Sequence, residues 1–408
     1  MGSPVRPVFC EMQRHGVKKR FVCQIIIHDF FLFPQRGLAF ITHTLPKNVF
    51  RILRYLTLAL MLASCIATPP PFDEDAWRQE VDAQNTELLY APHFKDGVYF
   101  NPWSPMRSDR FGQFLKWRFS KKATYTDEER TFLPRVRQDL AGRLQKSAGK
   151  DTIAWIGHAT FFIRTAGVVW LTDPMLSKRA LLPKRVTPPA LRKDDLKNIT
   201  DPLYVLISHN HYDHLDKNTI RSLPEHARIF VPPGLKETLQ SFFGGEIQEV
   251  DWWETIDLGD GIQLVSLPAQ HWSRRIGQDF NTSLWAGYLL VTPDATIYYG
   301  GDSGYFVGYR EIGKRFPGID YALMPLTAYH PRWFMHYAHI NASESVRAFQ
   351  ALGARYYIPT QWGTFQLGDN PPGYPVLDLK KTIQQQELDP SRFVIMDIGQ
   401  IEVVREAK

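Results

Sequence analysis

The sequence predicts a layered α/β fold with sheets covered by helices, and three observations carry that reading. From Asp151 onward, short apolar runs are broken by Gly, Pro and Asp at strand-like intervals. Helical patterns fall between those runs, so each sheet has helices available to cover it. The composition, 44% hydrophobic and 22% charged over 408 residues, is that of a globular chain long enough to bury a sizeable core.

The strand runs, in order, are 153–164, 168–172, 204–208, 229–231, 262–267, 284–291, 296–299, 321–324, 356–358 and 393–404. The helical segments are 217–223, 234–243, 308–315, 342–352 and 377–387. Residues 73–150 are charged and helical in pattern, with apolar anchors in F-N-P-W-S-P (100–105) and F-L-K-W-R-F (114–119). Aromatic residues there (Phe94, Phe100, Trp103, Trp117) lie among Lys and Arg, a mixture suited to a lipid interface.

The formal charge of +6 comes from one end. Residues 1–64 hold nine basic and two acidic side chains, and the remainder holds 39 basic and 40 acidic. A nearly neutral body without a basic helix or finger motif argues against a nucleic-acid partner. Lys47, Arg51 and Arg54 precede an uncharged run, 55–63, that leads into L-A-S-C (62–65). A positive region, a short apolar stretch and small residues before a cut form a secretory signal, and the run is too short to span a bilayer. The tetrapeptide resembles a bacterial lipobox, which implies cleavage before Cys65 and lipidation of its sulfur. Ile66 in place of Asp points to an outer-membrane, periplasm-facing lipoprotein in a bacterial envelope. The long stretch 1–45 suggests a start codon assigned too early. Cys10, Cys23 and Cys65 are the three cysteines, so a processed chain has no disulfide. The expected organisation is a leader (1–64), a lipid anchor and tether (65–95), an N-terminal extension (96–150) that packs on the core, and a main α/β domain (151–408).

The strongest chemical signal is H-N-H-Y-D-H at 209–214, directly after the apolar run L-Y-V-L-I-S. Four metal-capable side chains (His209, His211, Asp213, His214) occupy six positions past a strand end, where a loop can fold them round one point. Neutral imidazoles with a carboxylate suit zinc or another borderline divalent ion. His271 and Asp302 also stand at the ends of strand runs. There is no G-x-x-x-x-G-K-[ST], G-x-S-x-G or C-x-x-C motif.

The order of H-x-H-x-D-H, His271 and Asp302 resembles the metallo-β-lactamase-fold hydrolases. W-I-G-H-A-T (155–160), L-T-D-P (171–174), D-W-W-E (251–254), Q-H-W-S-R-R (270–275), G-D-S-G-Y (301–305), P-R-W-F-M (331–335) and W-G-T-F (362–365) are similar to the N-acylphosphatidylethanolamine-hydrolysing phospholipase D branch. The resemblance runs from about residue 93 to the C-terminus. It implies an αββα sandwich, here with an N-terminal extension, and two zinc ions at one edge of the sheets. His209, His211 and His271 would hold the first ion, Asp213 and His214 the second, with Asp302 bridging. That branch usually has a His before W-G-T-F. Here the residue is Gln361, so the second site is expected to be weak or to take a different divalent metal, unless His336 or His339 substitutes.

His158, Asp173 and Asp216 are expected to orient ligands or contact substrate. Asp213 and Asp302 are assigned to catalysis through the metals, and His339 to the leaving oxygen's proton. The expected reaction is phosphodiester hydrolysis in a phospholipid. The alternatives are hydrolysis of a lactone, cyclic phosphodiester or other small ester, and a non-catalytic envelope lipoprotein. Expected partners are the substrate, the membrane through the anchor, and a second copy in a homodimer.

Overall fold

The computed structural model describes residues 52, 54–56, 70–106 and 110–405. The chain divides into two units, Met1–Cys65 and Ile66–Lys408, and the second holds every strand described below. The leader, apart from four residues, and the lipidation position Cys65 lie outside the described residues. Among the described residues, no helix is long and apolar enough to cross a membrane.

A two-stranded ribbon, β1 (Phe94–Lys95) with β2 (Val98–Tyr99), precedes the two main sheets. The first sheet holds β3 (Thr152–Gly157), β4 (Thr160–Thr165), β5 (Val168–Thr172), β6 (Leu203–Leu206), β7 (Arg228–Val231) and β8 (Glu246–Glu249). The second holds β9 (Thr255–Asp257), β10 (Gln263–Leu267), β11 (Gly287–Val291), β12 (Thr296–Tyr299), β13 (Tyr321–Pro325) and β14 (Tyr356–Thr360). The last strand, β15 (Ile401–Val403), returns to the first sheet beside β3. The strand orders are β15-β3-β4-β5-β6-β7-β8 and β14-β13-β12-β11-β10-β9.

The apolar runs are continuous because these strands are buried on both faces. In β5, Val168 and Trp170 join the core between the sheets, whereas Val169 and Leu171 face a second core with Leu196 and Ile220. Leu140 and Leu144 of the helix Leu140–Lys146 join that second core. Ile312, Val346, Phe349 and Leu379, from the helices Gly308–Arg315, Ala342–Leu352 and Tyr374–Gln385, pack against the second sheet. The layers are therefore helix, sheet, sheet, helix, as expected.

Three expectations need correction. The run 153–164 is two strands, because β3 and β4 form a hairpin that turns at His158 and Ala159. The run 393–404 contains only the short β15, preceded by a 3-10 turn at Pro390–Arg392. The tether drawn over 65–95 reaches too far: Trp77, Val81 and Leu89 belong to the buried cluster that also holds the second sheet and its covering helices, and the Trp77 indole donates to Glu344 Oε1 at 3.0 Å.

Candidate metal centre

The site forms where strand ends from both sheets meet. Past β6 comes Ser208 and then the loop 209–214; past β5 comes Asp173; past β10, His271; past β12, Asp302; past β14, Gln361. The carboxyl ends of neighbouring parallel strands are the usual place for a site in such sheets. Gly301 permits the closest approach. Its φ is +56°, and a Cβ there would stand 2.6 Å from the Ser208 Cβ, so the bare backbone lets Asp302 reach the histidine loop.

Two donor sets result: His209, His211, His271 and Asp302, and His158, Asp213 and His214. In the first, His211 Nδ1 lies 2.8 Å from His209 Nε2 and 3.2 Å from His271 Nε2. Asp302 Oδ2 lies 3.8 Å from His209 Nε2 and 3.5 Å from His271 Nε2. Its other oxygen, Oδ1, lies 3.4 Å from His214 Nε2, so one carboxylate faces both sets. His214 Nε2 and His158 Nε2 stand 3.4 and 3.0 Å from Asp213 Oδ2.

Remote contacts fix which nitrogens face inward. His214 Nδ1 donates to Asp173 Oδ2 at 2.6 Å, and His271 Nδ1 to the Ala338 carbonyl at 3.1 Å. The Ser208 hydroxyl donates to Asp173 and accepts from His209 Nδ1 at 2.9 Å. With each Nδ1 proton committed, the Nε2 lone pairs of His209, His214 and His271 converge on the centre. His214 Nε2, Asp302 Oδ1 and Gln361 Oε1 are buried and have no hydrogen-bond partner among the described residues. Such atoms are costly to bury unpaired, and divalent cations coordinated by these donors would satisfy them. The residues therefore fit a metal centre.

Electrostatics point the same way. Burial pushes His209, His211 and His271 below the ordinary imidazole range, His211 to about 4, keeping them neutral as ligands. Burial opposes ionisation of Asp213 and Asp302, but the neighbouring His214 outweighs it and holds both well below the usual carboxylate range. His214 is the exception: burial opposes its charge, yet Asp302, Asp213 and Asp173 raise its pKa, so without a cation its Nε2 keeps a proton, which a bound ion would displace to free the lone pair.

His158 turns into the site from the β3–β4 hairpin, and its ring meets Asp213. Gln361 donates from Nε2 to the Gly301 carbonyl at 2.9 Å and from its backbone N–H to the His158 carbonyl at 3.0 Å. His339 sits beside the first set, its ring 5.4 Å from that of His271, and burial lowers its pKa. His336 is elsewhere, packed on Phe72 and Trp77. Asp216 departs from its expected orienting role. It caps the helix Lys217–Ile220 and accepts from the Ser177 N–H at 3.0 Å, holding the neighbouring loop instead of a ligand ring. Sequence reasoning missed Ser208 and Tyr299, whose hydroxyls both bond Asp173. His158, Asp173 and Gln361 share positive φ values of 55°, 31° and 72°. Strained backbone of this kind clusters at functional sites.

Residues 170–362 match the family described as the Beta-lactamase superfamily domain, so fold and site together define a metal-dependent hydrolase. The chain is 33% identical over 266 residues to N-acyl-phosphatidylethanolamine-hydrolyzing phospholipase D 1 of Caenorhabditis elegans, covering 60% of this chain and 74% of the relative. It is 32% identical to an uncharacterized protein of Mycobacterium tuberculosis, covering 70% and 78% of the two chains. A possible metal-dependent hydrolase of Veillonella parvula shares the fold, with a TM-score of 0.52 and 19% identity over 62% of this chain and 100% of that one. The chain belongs to the β-lactamase superfamily, in the branch that includes the nematode relative.

Proposed function

We propose that the chain hydrolyses the phosphodiester of a phospholipid of the N-acylphosphatidylethanolamine class, releasing phosphatidic acid. The observation that carries a two-cation centre is Asp302, whose two oxygens face different donor sets. The phospholipid substrate is supported by the kinship to a relative named for that reaction. We assign zinc to the first set, because three imidazoles and a carboxylate suit it. The second site would draw on His214 and Asp213 of the second set together with the facing Asp302 and Gln361, a donor group richer in oxygen that suits a harder or more weakly held ion.

When bound, paired divalent cations acidify a water and neutralise charge growing on a phosphoryl oxygen. The chain's own residues prepare for this. Asp213 and Asp302 stay ionised and balance the cations. Asp173 holds His214 in one tautomer, and Ser208 and Tyr299 hold Asp173. His339, kept neutral by burial, offers a ring N–H or lone pair to the substrate beside His271. Attachment to a membrane through Cys65 is supported by the lipobox-like tetrapeptide L-A-S-C at 62–65.

Turnover of defined N-acyl phospholipids beside a panel of lactones and small esters tests the reading. Release of phosphatidic acid is expected; turnover of lactones alone would replace the phospholipid reading with the small-ester one. Gln361→His is expected to raise retained metal from fewer than two ions per chain to two after dialysis, measured by elemental analysis. Unchanged stoichiometry would remove Gln361 from the ligand set.

A further inference from the structure

A basic hairpin beside the ligand loop has no part in the chemistry above. The Arg185 N–H donates to the Lys178 carbonyl and that of Ala180 to the Pro183 carbonyl, both at 3.0 Å, with Arg179 bridged to Lys184 between them. Residues 174–193 carry six cationic side chains and no carboxylate. Arg185 is buried at the root, where its guanidinium donates to the Ser177 and Met175 carbonyls and lies over the Phe365 ring. Lys178, Arg179 and Lys184 are exposed. At the tip, Leu182 is 76% exposed and Leu181 45%, with Val186 also exposed.

Leu181 is the informative residue. Its φ of +58° places a branched side chain in left-handed backbone, where glycine would be unstrained. A half-exposed side chain there gains little packing within the chain to offset that strain.

The root ties the hairpin to the site. Met175 and Ala180 cluster with Phe365 and Tyr212, and Phe365 lies edge-on to His158 at 5.1 Å. Tyr212, between ligands His211 and Asp213, accepts the Ile276 N–H at 3.1 Å, and Ile276 is itself 75% exposed beside Arg274 and Arg275. Exposed apolar residues with exposed cations beside them, Arg274 next to Ile276 and Lys178, Arg179 and Lys184 next to the leucines, thus flank the ligand loop.

We propose that residues 178–186 form a membrane-docking finger. Leu181, Leu182 and Val186 enter the headgroup–acyl boundary of an anionic bilayer, while Lys178, Arg179 and Lys184 bind its phosphates. Charge complementarity selects this occupant, because a segment of cations without a carboxylate, beside exposed leucines, matches an anionic lipid surface. The proposal rests on the phospholipid reading and adds how a bilayer-held substrate is brought to the loop.

The test uses the full metal-loaded chain, so parent and variants share every other membrane contact. Vesicles of phosphatidylglycerol with phosphatidylcholine are compared with phosphatidylcholine alone. The parent is expected to prefer the anionic vesicles. L181S/L182S should lower partition about 10- to 100-fold, and K178E/K184E at least about fivefold per charge, with a weaker salt dependence. Turnover of a short-chain, monomeric phosphodiester should stay at the parent's level in both. L181G/L182S, which relieves the strained backbone, repeats the test with melting temperature and metal content as fold controls. Parent-like partition of the leucine variants, or no partition of the parent, overturns the finger and points to a protein partner for the patch. Leucine-dependent partition without release of phosphatidic acid keeps the finger and removes the phospholipase reading.

Discussion

Asp302→Ala is expected to lower kcat/KM by about 10³-fold or more, the largest effect of any single change at the site. The reason is geometric. Among the described residues, Asp302 faces both donor sets with separate oxygens, so its loss would remove an anionic donor from both sets at once. Metal content should fall with activity in the same preparation; unchanged turnover would trace the activity to a contaminant. The metal-free protein should also respond to acid through this residue. Its folded carboxylate is held well below the usual range. Its contribution to stability is therefore present above the ordinary carboxylate pKa and is lost as pH falls through the depressed value. The variant's stability should accordingly depend less on pH in the acid range.

Asp173→Asn is expected to cost about 3–5 kcal/mol, read as a melting temperature lower by on the order of 10 °C. Asp173 is fully buried and accepts from the Ser208 N–H at 2.7 Å, the Ser208 hydroxyl, His214 Nδ1 and the Tyr299 hydroxyl. An amide replaces one acceptor oxygen with an NH₂ that meets donors, and removes the charge that steadies His214. The inward lone pair of His214 is then no longer enforced, so affinity at the second site should fall about 10- to 100-fold. Metal titration beside thermal melting separates the two effects. A lower melting temperature with unchanged affinity would leave Asp173 a structural residue only.

The ligand loop was legible because H-x-H-x-D-H concentrates donors in a way that structural roles do not require. The layered fold was legible because strands buried on both faces leave unbroken apolar runs. The hairpin of β3 and β4 was not, since the apolar run continues through Gly157 and His158 and hides the turn. The strands β8 and β9 were missed because Glu246–Glu249 and Thr255–Asp257 are polar strands at sheet edges, half exposed and without an apolar run. Trp103 looked like an interface residue from its basic neighbours, yet it is buried with its indole N–H on Gln270 Oε1. Backbone sign was the least legible feature. Nothing in the residue types of His158, Asp173 or Gln361 announces a positive φ, because the fold imposes it through contacts distant in sequence.

The Gly301–Ser208 approach joins chain segments made at different times. Donors from residue 158 to residue 361 come together only after both sheets exist, so no nascent fragment can offer the complete cradle. Metal capture is therefore a closing event of folding, and binding energy is delivered as a clasp on an assembled pair of sheets. It follows that the ion chosen reflects the metal pool of the compartment where the chain finishes folding.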